Sequence, residues 1–379
     1  MDKTLDSIGH AAMEPTDCIT DAATEIAAST KLSAFIDRHF HGSDYYEVGR
    51  EKIREYAALA RCGHPAYRSD DAARELGYPG LLAPAAFFSM VATMVQGALL
   101  GAYVDGPGFR SIIQTDQQVE LHRPIVVGDR LDCEVWIDTY RQTFGGDLIG
   151  LTSVLTDPTG APVVTARTRL ASRADLDEHV AAAIRNVLMR GAAPAPTLQA
   201  ERRWGHDERF VAAETMVGPR RAHFTVAHLS SFTDIHVGAE LPSRTVFLNS
   251  SDLVRYAGVS GDPNPIHWSP GIAELFRLDS VVAHGMLTTG IGAGFVAAYL
   301  DDPGAISAYR IRLISPVFVG SEGATIEFGG RVKSIDAEEH TVTVGLTAKQ
   351  EGREIFGRAN VTVRLRADDT GAVTPEPPL

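Results

Sequence analysis

The chain repeats itself, and this internal repeat limits the folds that the sequence can adopt more than any other feature. When the 379-residue sequence is shifted by 200 residues, residues 48–67 align with residues 248–267. Further along, the shift becomes 192, so the first half holds about eight extra residues, which fall between Gly101 and Gln118. Two copies of one structural unit are therefore expected.

Each half shows the same order of elements, an uncharged run followed by alternating β-rich runs. The uncharged runs are residues 83–104 and residues 285–300. A helix that is apolar on every face is what a sheet-wrapped central helix requires. Residues 83–104 are also long enough for a membrane span. Gln96, Pro84 and the absence of a flanking basic cluster favour the buried helix and predict no membrane span.

The residues that carry chemistry lie in one stretch, residues 256–286. Asp262 and His267 are five residues apart in a loop with two prolines, where rigid turns can aim both side chains at one point. His284 and Gly285 stand where the second uncharged run begins. Backbone N–H groups and the positive end of a helix are then expected to face the same point. This arrangement suits a carbonyl that becomes an enolate.

The run SGDPNPIH, residues 260–267, followed by AHGM, residues 283–286, resembles the hydratase motif of the MaoC-like enoyl-thioester hydratases and (3R)-hydroxyacyl dehydratases. The resemblance implies an α+β double hot-dog fold, in which two antiparallel sheets each wrap a long central helix. It also implies that no metal and no organic cofactor takes part.

The resemblance further implies a role for each residue of the motif. Asp262 and His267 are the acid/base pair and hold one water between them. The backbone N–H of Gly285 binds the thioester oxyanion. The remaining residues of the oxyanion and substrate-binding side are His284, Asn264 and Met286.

The first half lacks the reactive groups. At the three positions that align with the acid and the two imidazoles it has Cys62, Tyr67 and Pro84. An inert half followed by a catalytic half is the simplest interpretation. A nucleophilic Cys62 beside His64 is an alternative, although nothing in the sequence indicates an activated thiolate.

Other interpretations of the motif stay open. An aspartate before a proline is often only a turn former, and Tyr256 is interpreted as a core residue. Ser260 with His267 and Asp262 has the composition of a triad, but no nucleophile-elbow pattern surrounds it. Asp262, His267 and His284 include two zinc ligands and an acid, but they lack the spacing of a zinc motif.

The composition limits the partners and the setting. The net charge of −13 and the pI near 5.4 argue against a nucleic-acid-binding protein. The three cysteines have no metal-type spacing and form no disulfide framework, which favours a reduced cytoplasmic setting. The predicted units are an N-terminal extension (1–42), an inert hot dog (43–171), a linker (172–232), a catalytic hot dog (233–367) and a polar tail (368–379).

An inert hot dog fused to a catalytic one resembles the paired dehydratase subunits of mycolic-acid and related fatty-acid synthesis, in which the inert partner gives space to a long acyl chain. The resemblance implies a (3R)-3-hydroxyacyl carrier-protein dehydratase or (R)-specific 2-enoyl-thioester hydratase that acts on fatty-acid, mycolic-acid-like or polyketide chains. The alternatives are a CoA-dependent hydratase of lipid, steroid side-chain or diacid breakdown and a noncatalytic acyl-thioester-binding subunit. Two hot dogs in one chain allow a monomeric pseudo-dimer or a homodimer.

Overall fold

The computed structural model describes residues 33–103, 112–143, 146–172, 178–187, 198–200 and 236–364. Most of the predicted N-terminal extension, most of the predicted linker and all of the predicted polar tail lie outside the described residues.

The first half places its central helix before a meander of long strands. Ser69 caps the short helix α2, because its hydroxyl accepts from the N–H of Ala72, and two acids follow in the first turn. The elements of this half are β1 (His39–Gly42), β2 (Tyr46–Glu47), α1 (Arg50–Leu59), α2 (Asp70–Glu75), α3 (Phe88–Tyr103), β3 (Ile113–Leu121), β4 (Arg130–Thr143), β5 (Gly146–Thr156) and β6 (Pro162–Ala171). Strand β1 falls in the stretch predicted as an extension and pairs with β4.

The described residues of the predicted linker form α4 (Glu178–Val187) and β7 (Leu198–Ala200). The amphipathic pattern of residues 173–190 predicts such a helix. Ile184 of α4 packs with Ile266 and Val282 of the second half. The linker helix therefore supports the loop that carries the Asp262 and His267 pattern.

The second half repeats the order of the first. Its elements are β8 (Glu240–Leu248), α5 (Ser250–Ser260), α6 (Pro270–Leu275), β9 (Val281–Val282), α7 (Gly285–Ala297), β10 (Ile306–Leu313), β11 (Phe318–Val319), β12 (Ala324–Asp336), β13 (Thr341–Gln350), β14 (Arg353–Glu354) and β15 (Phe356–Arg364). Asn249 and Asp252 form a capping box at the start of α5. The helix ends at Gly261, whose φ of 74° suits glycine and turns the chain into the loop that follows.

The predicted double hot-dog fold is confirmed, with α3 and α7 as the two central helices. The two predicted antiparallel sheets are joined into one, because β3 and β10 pair in an antiparallel register. Among the described residues this sheet has 13 strands, and the order along its main path is β7-β1-β4-β5-β6-β3-β10-β15-β13-β12-β8. The join brings one edge of each half to the middle of the molecule.

Small residues let the two halves approach closely along α7. A Cβ on Gly294 would lie 2.6 Å from the Sγ of Cys62, and one on Gly290 would lie 3.1 Å from the hydroxyl of Tyr56. An ion pair of 2.9 Å between Arg61 and the carboxylate of Asp252 also links the halves. The second central helix is thus in contact with both halves.

In the part of the chain that the structure describes, no helix is both long and apolar enough to cross a membrane. Helix α3, which covers most of the uncharged run of the first half, instead packs against β4 and β5.

Candidate active site

A cavity of about 500 Å³ lies between the two halves. The second half contributes the loop after α5 and the start of α7 to its wall. The first half contributes one side of α3, the beginning of β3 and part of β6. Because β3 pairs with β10, the cavity runs across the join between the two sheets.

The loop after α5 is held by hydrogen bonds of its own side chains. The Oδ1 of Asp262 accepts from the N–H of Asn264 at 3.1 Å, and the side-chain oxygen of Asn264 accepts from the N–H of Ile266 at 3.3 Å. Asn264 thereby caps the 3₁₀ turn Pro265–His267. These bonds leave the second carboxylate oxygen of Asp262 free to face the imidazole.

The ring of His267 is oriented by a hydrogen bond to the backbone of β9. Its Nδ1–H donates to the carbonyl of Val282 at 2.7 Å, so the neutral ring carries its lone pair on Nε2. This Nε2 lies 4.0 Å from the Oδ2 of Asp262. Burial lowers the pKa of His267, and the nearby Asp262 carboxylate and the Val282 carbonyl raise it only in part. The ring is therefore unprotonated at neutral pH and presents a base toward the carboxylate.

His284 lies behind this pair. Its ring stacks on that of His267 with centroids 3.7 Å apart, and the ring of Tyr256 also packs against the ring of His284, with centroids 4.8 Å apart. Both nitrogens are buried and lack a hydrogen bond of normal geometry to the described residues. Burial and then the adjacent His267 lower the pKa of His284 well below its ordinary value, so the ring is neutral.

Gly285 is the first residue of α7 and lines the cavity. The first residues of a helix have N–H groups without an intrahelical acceptor, so the amides of Gly285 and Met286 can bind an anion. A side chain at position 285 would crowd the site, since a Cβ there would lie 2.7 Å from the Cδ1 of Leu313.

The structure brings the predicted residues together, with one exception in position. Asp262, Asn264, His267, Gly285 and Met286 all line the cavity. His284, which the sequence places on the substrate side, is not part of the cavity wall; its ring supports that of His267 instead.

A metal ion has a candidate donor set in the same place. One ligand atom from each of Asp262, His267 and His284 lies within 4.8 Å of the others. Ligands of a tetrahedral zinc lie about 3.4 Å apart when each is roughly 2.0–2.2 Å from the metal. The 4.0 Å between His267 Nε2 and Asp262 Oδ2 is longer than this, so a metal would require at least one of these side chains to move.

Two family models match the chain. One is described as FAS1-like, dehydratase domain region, and matches residues 34–166; the other is the MaoC like domain and matches residues 234–351. A solved structure of a MaoC-like dehydratase is 37% identical, with a TM-score of 0.75, and the match covers 88% of this chain and all of that chain. The chain belongs to the MaoC-like dehydratase family. This family membership indicates a hydro-lyase.

The chain is also similar to one curated protein over part of its length and to a further solved structure in fold. A UPF0336 protein of Mycobacterium tuberculosis strain H37Rv is 38% identical over 147 residues, which is 38% of this chain and 93% of that protein. A conserved hypothetical protein of Mycobacterium tuberculosis with a double hotdog fold is 14% identical, with a TM-score of 0.55 and coverage of 89% of this chain and 99% of that chain. At this identity it supports the fold alone.

The first-half counterparts of the MaoC motif lie away from the cavity. Cys62, Tyr67 and Pro84 are all absent from its wall. Burial raises the pKa of Cys62 to about 12, so its thiol stays protonated. The Nδ1 of His64 accepts from the N–H of Ala66 at 3.1 Å, while its Nε2 lies 3.1 Å from the carbonyl of Asp301. These contacts oppose a nucleophilic Cys62.

The triad interpretation of Ser260 is also opposed by geometry. Its hydroxyl donates to the carbonyl of Tyr256 at 2.6 Å, one helical turn back. Such a bond points the hydroxyl along the helix and leaves it committed to the backbone.

Sequence reasoning missed the first-half part of the cavity wall, which includes several amide and hydroxyl side chains. Gln96, Gln114, Gln117 and Thr168 belong to it. The signal that could have revealed it is Gln96, a polar residue inside an otherwise apolar run. In the sequence, Gln96 argues against a membrane span but does not by itself indicate a polar wall.

Proposed function

We propose that the protein is an (R)-specific 2-enoyl-thioester hydratase that works in the cell as a (3R)-3-hydroxyacyl-[acyl-carrier-protein] dehydratase. The observation that carries the proposal is the position of the unprotonated Nε2 of His267, 4.0 Å from the Asp262 carboxylate and beside the start of α7. A base, an acid partner and free helix N–H groups then face one cavity, which is the set that water addition to an enoyl thioester requires.

In the hydration direction, a water held between the Asp262 carboxylate and His267 Nε2 attacks C3 of the enoyl group. His267 takes a proton from this water as the new C–O bond forms, and Asp262 stabilises the resulting imidazolium. The electron pair of the double bond moves onto the thioester oxygen as an enolate. The N–H of Gly285 stabilises that oxygen, and the His267 imidazolium then gives its proton to C2.

Dehydration is the reverse of this sequence and uses the same groups. His267 removes the proton at C2, and the resulting imidazolium gives a proton to the C3 hydroxyl, which leaves as water. His284 acts only through its neighbour, because a neutral ring stacked on His267 keeps the base in one orientation without adding a competing charge.

The choice of a long or polyketide-like acyl chain is supported by the extent of the cavity. Its wall reaches from Asp262 in the second half to Leu100 and Leu170 in the first half. Ile112–Thr115, which belong to the longer connection of the first half, also line it. The half without the acid/base pair therefore offers apolar space for the substrate's chain.

Steady-state hydration of trans-2-enoyl thioesters tests the proposal. Short and long acyl groups are compared on CoA and on acyl carrier protein, and the configuration of the 3-hydroxy product is determined. We expect (3R) product and a preference for the carrier protein that grows with chain length. A uniform preference for CoA esters would assign the protein to a catabolic hydratase instead. No turnover of any of these thioesters, or (3S) product, would contradict the proposal.

A further inference from the structure

A continuous chain of buried polar side chains crosses the first-half wall of the cavity. The Nε2 of Gln96 donates to the hydroxyls of Ser153 and Thr168 at 3.0 and 3.2 Å. The hydroxyl of Thr168 donates to the Oε1 of Gln117 at 3.0 Å, and the Nε2 of Gln114 donates to the same oxygen at 2.7 Å. Gln96, Gln117 and Thr168 are each more than nine-tenths buried.

The direction of every bond in this chain is fixed by one backbone group. Gln117 donates through its Nε2 to the carbonyl of Gln118 at 3.4 Å, which makes its other atom the acceptor. Thr168 uses its single hydrogen on that acceptor, so it must accept from the amide nitrogen of Gln96. By the same logic Gln114 turns its nitrogen toward Gln117 and its oxygen away.

Two side-chain amide oxygens accept no hydrogen bond within the described residues. No hydrogen bond within the described residues uses the Oε1 of Gln96 or that of Gln114, although both residues line the cavity. The Oε1 of Gln114 lies 3.4 Å from the place that a Cβ on Gly285 would take, so one acceptor is next to the start of α7. From Gln114 the hydrogen bonds continue through Gln117 and Thr168 to Gln96.

The fold itself does not require these polar groups. When the sequence is shifted by 200 residues, Gln96 aligns with Val296, an apolar residue of α7. The strand pair β10 and β15 repeats the pairing of Gln117 with Thr168. In the second half, Tyr309 takes the position of Gln117 and Val361 takes the position of Thr168. Since buried amides are costly unless they are satisfied, the presence of Gln96 and Gln117 at positions where the other half has valine and tyrosine points to a ligand.

We propose that this polar chain is a substrate subsite that accepts a hydrogen bond from a donor on the thioester. The donor class is a hydroxyl or an amide N–H, because both unused atoms are acceptors. Two parts of the substrate have such a donor, namely a hydroxylated acyl chain and the amides of the carrier's pantetheine arm. The inference rests on the proposed function and names the kind of thioester that the site selects.

The test compares three 2-enoyl thioesters of equal chain length. The first has a plain acyl group on pantetheine, the second has a hydroxyl on the distal part of the acyl group, and the third has the plain acyl group on a simple alkanethiol without amides. The variants are Gln96→Leu and Thr168→Val, which replace polar groups with apolar ones of similar size. Thr152→Val is the matched control, since Thr152 is buried on β5 and bonds to Asp138 outside the cavity.

We expect the wild type to prefer one donor-bearing thioester by roughly tenfold in kcat/KM, the order of one buried hydrogen bond. Gln96→Leu should lower kcat/KM for that substrate and raise it for the substrate without the donor. If kcat/KM depends on the hydroxyl of the acyl group, the donor is on the acyl chain. If kcat/KM depends on the pantetheine arm, the donor is an amide of that arm. Equal changes for all three thioesters, as expected for Thr152→Val, would overturn the inference.

Binding keeps the inference separate from the proposed reaction. Saturated analogues of the three thioesters bind without turnover, and calorimetry gives their affinities for the wild type and for Gln96→Leu. A donor-dependent loss of affinity in Gln96→Leu would support the subsite even if no thioester were hydrated. Affinities that do not depend on the donor would overturn it even if hydration were observed.

Discussion

The two halves of the chain share one fold but divide its tasks. The second half holds Asp262 and His267 in a loop that opens on the cavity, whereas the aligned Cys62 and Tyr67 of the first half are buried outside it. The first half instead supplies part of the wall through α3 and β3. Because β3 and β10 pair, a half without reactive groups still shapes the space in which the other half acts. One copy of a repeated fold can therefore lack the proposed acid/base pair and still line the cavity.

Substitution of the second-half residues Asp262 and His267 should have the largest effect on this comparison. His267→Ala and Asp262→Asn are each expected to lower kcat/KM for hydration by roughly 10² to 10⁴-fold, because they remove the base or its partner. Asp262→Asn retains the oxygen that accepts from Asn264.

Tyr67→Phe is the matched first-half control and should change kcat/KM by less than about twofold, since Tyr67 is outside the cavity wall. Thermal unfolding verifies that each variant is folded. Wild-type activity in a folded His267→Ala variant would contradict the assignment of the base.

A smaller loss is expected at the start of the second central helix. Gly285→Ala places a Cβ 2.7 Å from Leu313, so the side chain of Leu313 or the first turn of α7 must shift. We expect a loss of roughly tenfold in kcat, less than the 10² to 10³-fold that removal of an oxyanion donor causes. Ala85→Gly at the aligned position of the first half is the control and should leave kcat unchanged. A Gly285→Ala variant with normal kcat and only a raised KM would argue against an oxyanion role.

The pH dependence of stability should also differ between wild type and a variant of the second half. Burial lowers the pKa of His284 well below 6.5 in the folded protein, whereas an unfolded histidine titrates near 6.5. The unfolded state then binds more protons below this pH, so the free energy of unfolding falls as pH falls. His284→Phe removes one such group and should reduce the fall between pH 6.5 and 5.5 by about 1 kcal/mol.

Denaturant titrations at both pH values measure this difference. Equal falls for wild type and His284→Phe would mean that the folded protein protonates His284 as readily as the unfolded chain does.

The smallest effect is expected from removal of metal ions. Dialysis against a chelator should leave the hydration rate within error of its starting value, because the acid and the imidazole act directly on water in the proposed mechanism. Loss of activity on chelation, with recovery on addition of zinc, would show that Asp262, His267 and His284 hold a metal.

Much of the fold and of the site was predictable from residues close in sequence. The repeat identified two units, and the motif from Asp262 to Met286 gave the loop, the imidazole and the helix start. The pairing of β3 with β10 was not predictable, because alternating burial identifies a strand but not its partner far along the chain. The Val282 carbonyl that orients His267 also depends on tertiary packing. Both facts concern contacts between segments, which a single sequence does not specify.

The most direct test of this division of tasks is the dependence of kcat/KM on acyl chain length in two variants. Gly97→Leu fills the first-half part of the cavity, since Gly97 lines it and a Cβ there would meet nothing within 4 Å. Gly101→Leu is the matched control on the same helix, where a Cβ also meets nothing and the residue is outside the cavity wall. His267→Ala represents the second half.

We predict that His267→Ala lowers kcat/KM by the same factor at every chain length. Gly97→Leu should leave short chains nearly unaffected and lower the rate for long ones by roughly fourfold for each methylene that it excludes. Gly101→Leu should behave as the wild type does. A Gly97→Leu profile parallel to that of the wild type would contradict the account, because the first half would then not hold the acyl chain.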